Sequence, residues 1–407
     1  MAALKPETPE QVAEAVAWAV AEGAPLEVMG RASKRALGRP VQAANDLDLS
    51  GLSGILLYEP EELVLSARAG TPMVEIEAAL AEKNQMLAFE PADLGPLLGG
   101  EAGQGSIGGL LACNLAGPRR IKAGAARDHF LGAQAVSGRG EAFKTGGRVV
   151  KNVSGYDLCK LLAGSYGTLA AMTEVTVKVL PAPEKTRTVL LFGLDEAGAV
   201  GAMTRALQTS HEVSGAAHLP ADLAATSAVS YVAKAGAAVT GLRLEGPGPS
   251  VTHRTAALRQ ELAATEELHG ANSAAFWAEL RDVKPLVAHP ERAVWKISVP
   301  PAVGAEVAAR LAQEQDALFY FDWGGGLIWL ALPASDALAF EARHAAVRAA
   351  FQDRGGHATL IRAPEEVRAR VPVFQPQDEA LAALTRRVKE GFDPKGILNP
   401  GRMTAGV

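Results

Sequence analysis

The spacing of apolar and polar residues predicts a chain of alternating helices and strands. Thr8 can cap a helix over Pro9–Glu22, because Pro9 would occupy the first position and apolar side chains share one face. Thr71-Pro72 is expected to open a second helix in the same way, running to about Lys83. Short apolar or alternating runs predict strands at Pro25–Met29, Asp46–Leu49, Gly54–Tyr58, Leu63–Ala69, Leu131–Val136, Lys144–Val150 and Ala170–Val179, with a further helix at Leu158–Leu162.

Strands and helices also alternate in the second half of the chain, after Pro181 and Pro183, which mark a domain boundary. Their order suggests ferredoxin-like α+β repeats. The predicted strands are Thr186–Phe192, Val213–Leu219, Tyr231–Ala233, Val239–Leu244, Ala293–Val299, Leu318–Phe321, Leu327–Leu332 and His357–Ile361. The predicted helices are Asp195–Thr209, Val251–Leu268, Ala302–Gln315, Ala334–Arg354 and Asp378–Glu390.

The densest run of glycine lies in the stretch Gly95–Val179. Within it Ser106 can cap a helix that begins at Ile107, and exposed amides at that helix start predict an anion or carbonyl site. Residues Gly103–Gly108 match G-x-G-x-x-G. A Rossmann site is disfavoured, since loop chemistry and not a strand precedes the match. A second loop, Gly30–Lys34, follows the strand Pro25–Met29 and predicts a pyrophosphate cradle.

Composition excludes several function classes. A net charge of −5 over 407 residues gives no basis for nucleic-acid binding. Cys113 and Cys159 are the two cysteines, too few for an iron–sulfur cluster, and both are expected to fill the core. The eight histidines show no metal-ligand spacing. Without a signal-peptide pattern or an apolar run of about 18 residues, a cytoplasmic protein is expected, reaching a membrane only through partners.

Together these segments resemble a known family. The chain is similar to the vanillyl-alcohol-oxidase type flavoproteins, which share the fold of p-cresol methylhydroxylase, and within them to the E subunits of bacterial glycolate oxidases. The matching pieces occur in the family's order and span almost the whole chain: Val28–Lys34, Gly103–Asn114, Arg127-Asp128, Gly146–Leu162, Gly164–Leu169 and Phe392–Met403.

The resemblance implies an α+β protein with three parts. Residues 1–183 would form a PCMH-type FAD-binding domain of two α/β subdomains. Residues 184–363 would form a ferredoxin-like α+β cap over the reactive face of the flavin, and residues 364–407 a helix and tail that return to the flavin domain. FAD would be held non-covalently, because Lys34 stands where some relatives attach flavin through histidine. The implied cofactor-binding residues are Met29, Gly30, Arg31, Ala32, Ser33, Lys34, Gly103, Gly105, Ser106, Ile107, Gly108, Gly109, Asn114, Arg127, Gly167 and Asn399.

Three functions remain open at this point. The resemblance favours an FAD-binding subunit of a glycolate oxidase complex, with a sister FAD-containing subunit that oxidises glycolate and an iron–sulfur subunit that receives electrons. Alternatively, the chain itself oxidises a 2-hydroxy acid. A cofactor-free structural subunit would leave the glycine-rich loops without a ligand. For the second function, the candidate substrate contacts are Lys296, Trp323, Arg362, Asn399 and Arg402.

Overall fold

The structure, a computed structural model, describes residues 2–148, 155–314, 316–334 and 337–406. It divides into two compact units. The first unit comprises residues 1–115, 124–181 and 372–407, and the second comprises residues 116–123 and 182–371. Three parts of predicted elements lie outside the described residues: residues 149–150 of the strand Lys144–Val150, residues 335–336 of the helix Ala334–Arg354, and the final residue of the helix Ala302–Gln315.

The strands within residues 1–181 are β1 (Ala2–Leu4), β2 (Leu26–Met29), β3 (Asn45–Asp48), β4 (Ile55–Glu59), β5 (Val64–Arg68), β6 (Gln85–Met86), β7 (Phe130–Ser137), β8 (Ala142–Gly146), β9 (Ala170–Lys178) and β10 (Leu180–Pro181). The helices are α1 (Pro9–Glu22), α2 (Met73–Ala81), α3 (Ile107–Cys113), α4 (Arg120–Ala123, in the second unit), α5 (Ala126–His129) and α6 (Cys159–Leu162).

The remaining strands are β11 (Lys185–Phe192), β12 (Gly215–Leu219), β13 (Val239–Gly246), β14 (Glu266–His269), β15 (Arg292–Ser298), β16 (Leu318–Asp322), β17 (Leu327–Pro333) and β18 (His357–Arg362). The remaining helices are α7 (Glu196–Leu207), α8 (Ala221–Ala224), α9 (Ser230–Ala233), α10 (Gly248–Glu261), α11 (Gly270–Arg281), α12 (Gly304–Glu314), α13 (Ala337–Ala349), α14 (Glu365–Arg370) and α15 (Glu379–Phe392).

The first unit contains a parallel sheet of order β1-β3-β2 and an antiparallel sheet of order β4-β5-β9-β7-β8. Helix α1 begins as predicted, with the Thr8 hydroxyl accepting from the Gln11 amide, and ends at Gly23 in the left-handed conformation. Its apolar face packs into a core that also contains Leu26, Ile397 and Leu398. The C-terminal tail is therefore part of the same hydrophobic core as the N-terminal helix.

The second unit has one antiparallel sheet of order β14-β11-β13-β12-β16-β17-β15-β18. Each half of the sheet comes from a βαββαβ unit, first β11-α7-β12-β13-α10-β14 and then β15-α12-β16-β17-α13-β18. The predicted ferredoxin-like repeats are confirmed, because this order of elements and strands defines that motif. The two repeats join where His218 of β12 pairs with Phe321 of β16.

Three predicted elements are wrong in detail. Tyr231–Ala233 is not a strand but belongs to helix α9; a run of three residues is too short to show a period. The predicted helix Val251–Leu268 begins earlier, at Gly248, and ends at Glu261. Its last predicted turns instead form β14, because pairing with β11 supplies the fourth strand of the repeat. The Thr71 hydroxyl does not cap α2 but donates to the carbonyl of Arg68.

Candidate functional site

A cleft opens in the first unit. It lies between the end of β2, the loop that follows, the first turns of α3 and the Tyr166-Gly167 turn. Eleven residues expected to bind the cofactor line this cleft: Met29, Gly30, Arg31, Ala32, Ser33, Lys34, Ser106, Gly108, Gly109, Gly167 and Asn399. The fold thus brings together residues that are far apart in the sequence.

The loop after β2 has the geometry of an anion cradle. Ala32 has φ of 57°, the left-handed conformation that usually requires glycine. Within the described part of the chain, the backbone N–H groups of residues 31–34 make no hydrogen bond. The carbonyls of Lys34 and Arg35, by contrast, accept from Arg402 at 3.1 Å each. A turn with left-handed backbone and uncommitted amides forms a concavity that suits phosphate oxygens.

Two glycines lie where this loop meets the start of α3. A Cβ atom on Gly30 would lie 2.4 Å from the Ser106 hydroxyl oxygen. A Cβ atom on Gly105 would lie 3.2 Å from the Lys34 ammonium nitrogen. The absence of a side chain at position 30 therefore lets the loop lie close to Ser106, whereas at position 105 the flexible end of Lys34 could move aside.

The first turn of α3 does not offer bare amides. Ser106 caps the helix as predicted, with its hydroxyl accepting from the Gly109 amide at 3.4 Å. The Ile107 amide donates to the Thr71 carbonyl at 3.1 Å, and the Gly108 amide donates to the Ala69 carbonyl at 2.8 Å. The expectation of an anion or carbonyl site on these amides is wrong, because they fasten α3 to the segment between β5 and α2. The α3 residues Gly108, Gly109 and Ala112 line the cleft, and none of the three has a bulky side chain.

Lys34 lies in the cleft wall. Its ammonium donates to the Ser33 hydroxyl at 3.3 Å, and no carboxylate of the described ranges lies within ion-pair distance. Burial lowers the pKa of Lys34, and burial raises the pKa of the neighbouring Cys113 thiol. Both shifts favour the neutral forms, and an anionic ligand beside Lys34 would favour its charged form.

The C-terminal tail shapes the cleft through Asn399. The Asn399 side chain accepts from the Val28 amide at 2.7 Å and donates to the Tyr166 carbonyl at 2.7 Å. It thereby joins the end of β2 to the Tyr166-Gly167 turn. Arg402 adds an ion pair with Glu27 at 3.1 Å. Both side chains bind groups within the protein. Asn399 bonds to the end of β2, and Arg402 bonds to the carbonyls of Lys34 and Arg35, so together they hold the loop in place.

Five expected residues do not line the cleft: Gly103, Gly105, Ile107, Asn114 and Arg127. Ile107 is buried in the core. The Gly103 amide donates to Asp93 at 2.7 Å, which closes the glycine-rich loop. The Asn114 side chain accepts from the Arg127 amide at 2.9 Å, so these two residues brace α3 against α5.

Other residues line the cleft that were not expected to bind the cofactor. Tyr166 and Cys113 lie within the motifs that carried the resemblance, so their neighbours were the available signal. Glu27 and Arg35 carried no such signal, because an acidic residue in a short strand and an arginine after a turn are ordinary surface features. Here they form an ion pair at 2.6 Å that supports the base of the loop.

The second unit holds three of the candidate substrate contacts. The Lys296 ammonium lies 4.9 Å from the centroid of the Trp323 ring. Arg362 instead donates to the Arg292 carbonyl at 3.0 Å and so joins backbone segments. Among the residues that the structure describes, no three histidine, cysteine or acidic side chains cluster as metal ligands. Likewise, none of the described helices is long and apolar enough to cross a bilayer.

Comparison with known proteins identifies relatives of the cleft and of the whole chain. A family model described as FAD binding domain matches residues 1–146, and one described as FAD linked oxidases, C-terminal domain, matches residues 373–403. Glycolate oxidase subunit GlcE of Escherichia coli is 36% identical over 96% of this chain and 96% of its own length. Glycolate oxidase subunit GlcD of Bacillus subtilis is 31% identical over 37% of this chain and 30% of its own. The crystal structure of p-cresol methylhydroxylase with substrate bound superposes with a TM-score of 0.74 at 17% identity, covering 99% of this chain and 88% of that one.

Proposed function

Because the chain belongs to the family of FAD-linked oxidoreductases that contains glycolate oxidase subunit GlcE, we propose that it is the FAD-binding subunit of a glycolate oxidase complex. FAD is its cofactor, and FAD supplies hydride and single-electron chemistry when bound. The observation that carries the proposal is the cleft of the first unit, where the amides of residues 31–34 have no acceptor in the described chain.

The residues of this cleft fit FAD. In our proposal the amides of Arg31, Ala32, Ser33 and Lys34 hold the pyrophosphate, and the Lys34 ammonium adds charge to the same end. Gly108 and Gly109 lie along the flavin and its ribityl chain without blocking them. Gly167 and Asn399 close the opposite wall. Since lysine at position 34 forms no flavin bond of the histidyl type, the cofactor is held non-covalently.

The complex would divide the reaction between chains. A sister FAD-containing subunit oxidises glycolate to glyoxylate, and an iron–sulfur subunit receives the electrons. This chain holds its FAD between those steps. The described residues support the division, because they contain no cluster of histidine and acidic side chains that could hold a metal beside a substrate. We also propose that the chain is cytoplasmic and meets a membrane only through these partners.

The visible spectrum of the purified chain tests both parts of the proposal. We expect flavin absorbance that trichloroacetic acid releases into the supernatant, because the cofactor is non-covalent. Anaerobic glycolate should leave that flavin oxidised until the sister subunit is added. A colourless chain that takes up no added FAD would contradict the cofactor role. Bleaching by glycolate alone would show instead that this chain oxidises the acid itself.

Variants of Ala32 test the pyrophosphate cradle. A non-glycine residue in the left-handed conformation costs about 1 kcal/mol, and a β-branched residue costs more. We expect Ala32→Gly to retain FAD, and Ala32→Val to weaken FAD binding at least about tenfold because the turn must change shape. Equilibrium dialysis against FAD measures both, and Ala44→Val, at an exposed loop position with ordinary φ, serves as the matched control. Equal affinity of the two valine variants would place the pyrophosphate elsewhere.

A further inference from the structure

A side-chain hydrogen bond joins the two loops that border the cleft of the first unit. The Arg31 guanidinium donates to the side-chain carbonyl of Gln104 at 3.1 Å. Arg31 belongs to the loop after β2, and Gln104 belongs to the glycine-rich loop that leads into α3. Among the described residues, no other hydrogen bond joins residues 30–34 to residues 101–106. We call this bond the Arg31–Gln104 latch.

Each loop is fixed separately to the rest of the unit. The loop after β2 is held from the tail by Arg402, which donates to two of its carbonyls. The glycine-rich loop is held by Asp93, whose carboxylate accepts from the Gly103 amide at 2.7 Å. It is also held by the Gly105 carbonyl, which accepts from the Met73 amide at 2.9 Å. The latch therefore links two segments that do not depend on it for their own conformation.

The backbone around Gln104 allows the latch to open. Gly103 and Gly105 flank this residue, and Gly103 has φ of 75°. Glycine accepts a wider range of backbone angles than any other residue. Moving the Gln104 side chain away from Arg31 therefore costs little beyond the hydrogen bond itself.

The latch lies at the solvent-exposed margin of the cleft. Arg31 is exposed and lines the cleft, whereas Ser106, which lines it too, is buried. No carboxylate in the described ranges lies within ion-pair distance of the Arg31 guanidinium. The latch is thus a bond between a cation and a neutral amide in contact with water, and such a bond can break and re-form without unfolding the loops.

We infer that the Arg31–Gln104 latch gates the exchange of FAD between the cleft and solvent. The inference rests on the proposed function, because it takes the pyrophosphate to bind at the amides of residues 31–34. With the latch closed, the two loops are held together at the margin of the cleft. Both entry and release of the cofactor then require the latch to open first.

Stopped-flow measurement of flavin fluorescence tests this gate. The full-length chain is stripped of FAD and mixed with FAD to give the entry rate. The loaded chain is mixed with an excess of an unrelated apoflavoprotein, which traps released FAD and gives the release rate. We expect Gln104→Leu to raise both rates by the same factor, roughly threefold to tenfold, because one hydrogen bond is lost. The Kd for FAD should stay within about twofold of the parent value, since a gate common to both directions does not alter the equilibrium.

Variants of the partner residue separate the latch from a direct phosphate contact. Arg31→Met should raise both rates as Gln104→Leu does. The double variant should be no faster than either single variant, because the same bond is removed in all three. Faster release without faster entry in Arg31→Met would show that the guanidinium binds the pyrophosphate itself, and additive effects in the double variant would show two independent contacts. Either result would overturn the latch.

Gln42→Leu and Arg139→Met are the matched controls, because both residues are exposed, belong to the same unit and do not line the cleft. Their rates should equal those of the parent chain, and thermal unfolding should show that each variant is folded. FAD uptake with unchanged rates in Gln104→Leu would refute the latch and leave the proposed function standing. A parent chain that takes up no FAD would refute the proposed function and the latch with it.

Discussion

A Lys389→Met variant is expected to lose about 3–5 kcal/mol of stability in the first unit, the usual result of removing one partner of a buried ion pair. The Lys389 ammonium donates to Asp393 at 2.6 Å, to the Thr168 carbonyl at 2.7 Å and to the Leu398 carbonyl at 2.9 Å. Lys389 is 6% exposed and Asp393 is 2% exposed. Without the ammonium, the Asp393 carboxylate would remain buried with its charge uncompensated.

The same change should also weaken FAD binding. Asp393 accepts from the amides of Ile397 and Leu398 at 2.9 and 2.7 Å, and so fixes the start of the tail. Asn399 and Arg402 follow directly in the tail, and they hold the end of β2 and the loop after it in place. Loss of the ion pair should therefore loosen the loop as well as the core.

Urea titration, followed by release of FAD fluorescence, measures this effect in one experiment. FAD release is the appropriate signal, because a chain of two units need not unfold in a single step. Arg387→Met is the matched control, since Arg387 is an exposed cation of the same helix. We expect the midpoint of FAD release to occur at a clearly lower urea concentration for Lys389→Met than for Arg387→Met. If the two midpoints coincide, Lys389 does not anchor the tail.

Lys389 also illustrates what the sequence could not reveal. A lysine four residues before an aspartate on an amphipathic helix is typical of a solvent-exposed pair. Burial of this pair depends on the tail folding back over the end of α15, a long-range event with no local pattern. By contrast, the Ser106 cap and the helix Pro9–Glu22 depend on neighbouring residues, and both were predicted from them.

The amides of α3 show a similar limit. A cap and a glycine-rich first turn correctly predicted the helix start. The neighbouring sequence could not show that the carbonyls of Thr71 and Ala69 accept hydrogen bonds from the amides of this turn. The adjacent loop differs, because a tight turn after a strand exposes its own amides by local geometry, and the amides of residues 31–34 make no hydrogen bond within the described chain. In the second unit, β14 was missed because its pairing with β11 overrides a helix-like composition.

Glu245 provides the second large effect, in the second unit. Arg119 of the segment 116–123 binds both carboxylate oxygens of Glu245 at 2.9 Å each, and the Ser214 hydroxyl donates to the same carboxylate at 2.6 Å. Burial by itself would raise the pKa of Glu245, but Arg243 and Arg119 outweigh it and bring the pKa to about 2. This network fastens the segment 116–123 to β13.

We expect Glu245→Gln to lower the stability of the second unit by about 3 kcal/mol at pH 7, because a pKa lowered by some two units contributes roughly that amount. A depressed carboxyl pKa stabilises the folded state above the unfolded pKa, near 4.3. That contribution is lost as the pH falls towards about 2. The difference between the parent and the variant should therefore be large at pH 7 and shrink below about pH 4.

Thermal unfolding monitored by tryptophan fluorescence between pH 2.5 and pH 7 measures this difference. Glu266→Gln is a useful control, because Glu266 is an acid of the same unit whose side chain pairs with the exposed hydroxyl of Tyr231. Removing such a surface contact should change stability by less than about 1 kcal/mol. A gap between parent and Glu245→Gln that stays constant across the pH range would mean that packing, and not the carboxylate charge, holds Arg119. A shrinking gap would identify the Arg119–Glu245 ion pair as the tether of the segment 116–123.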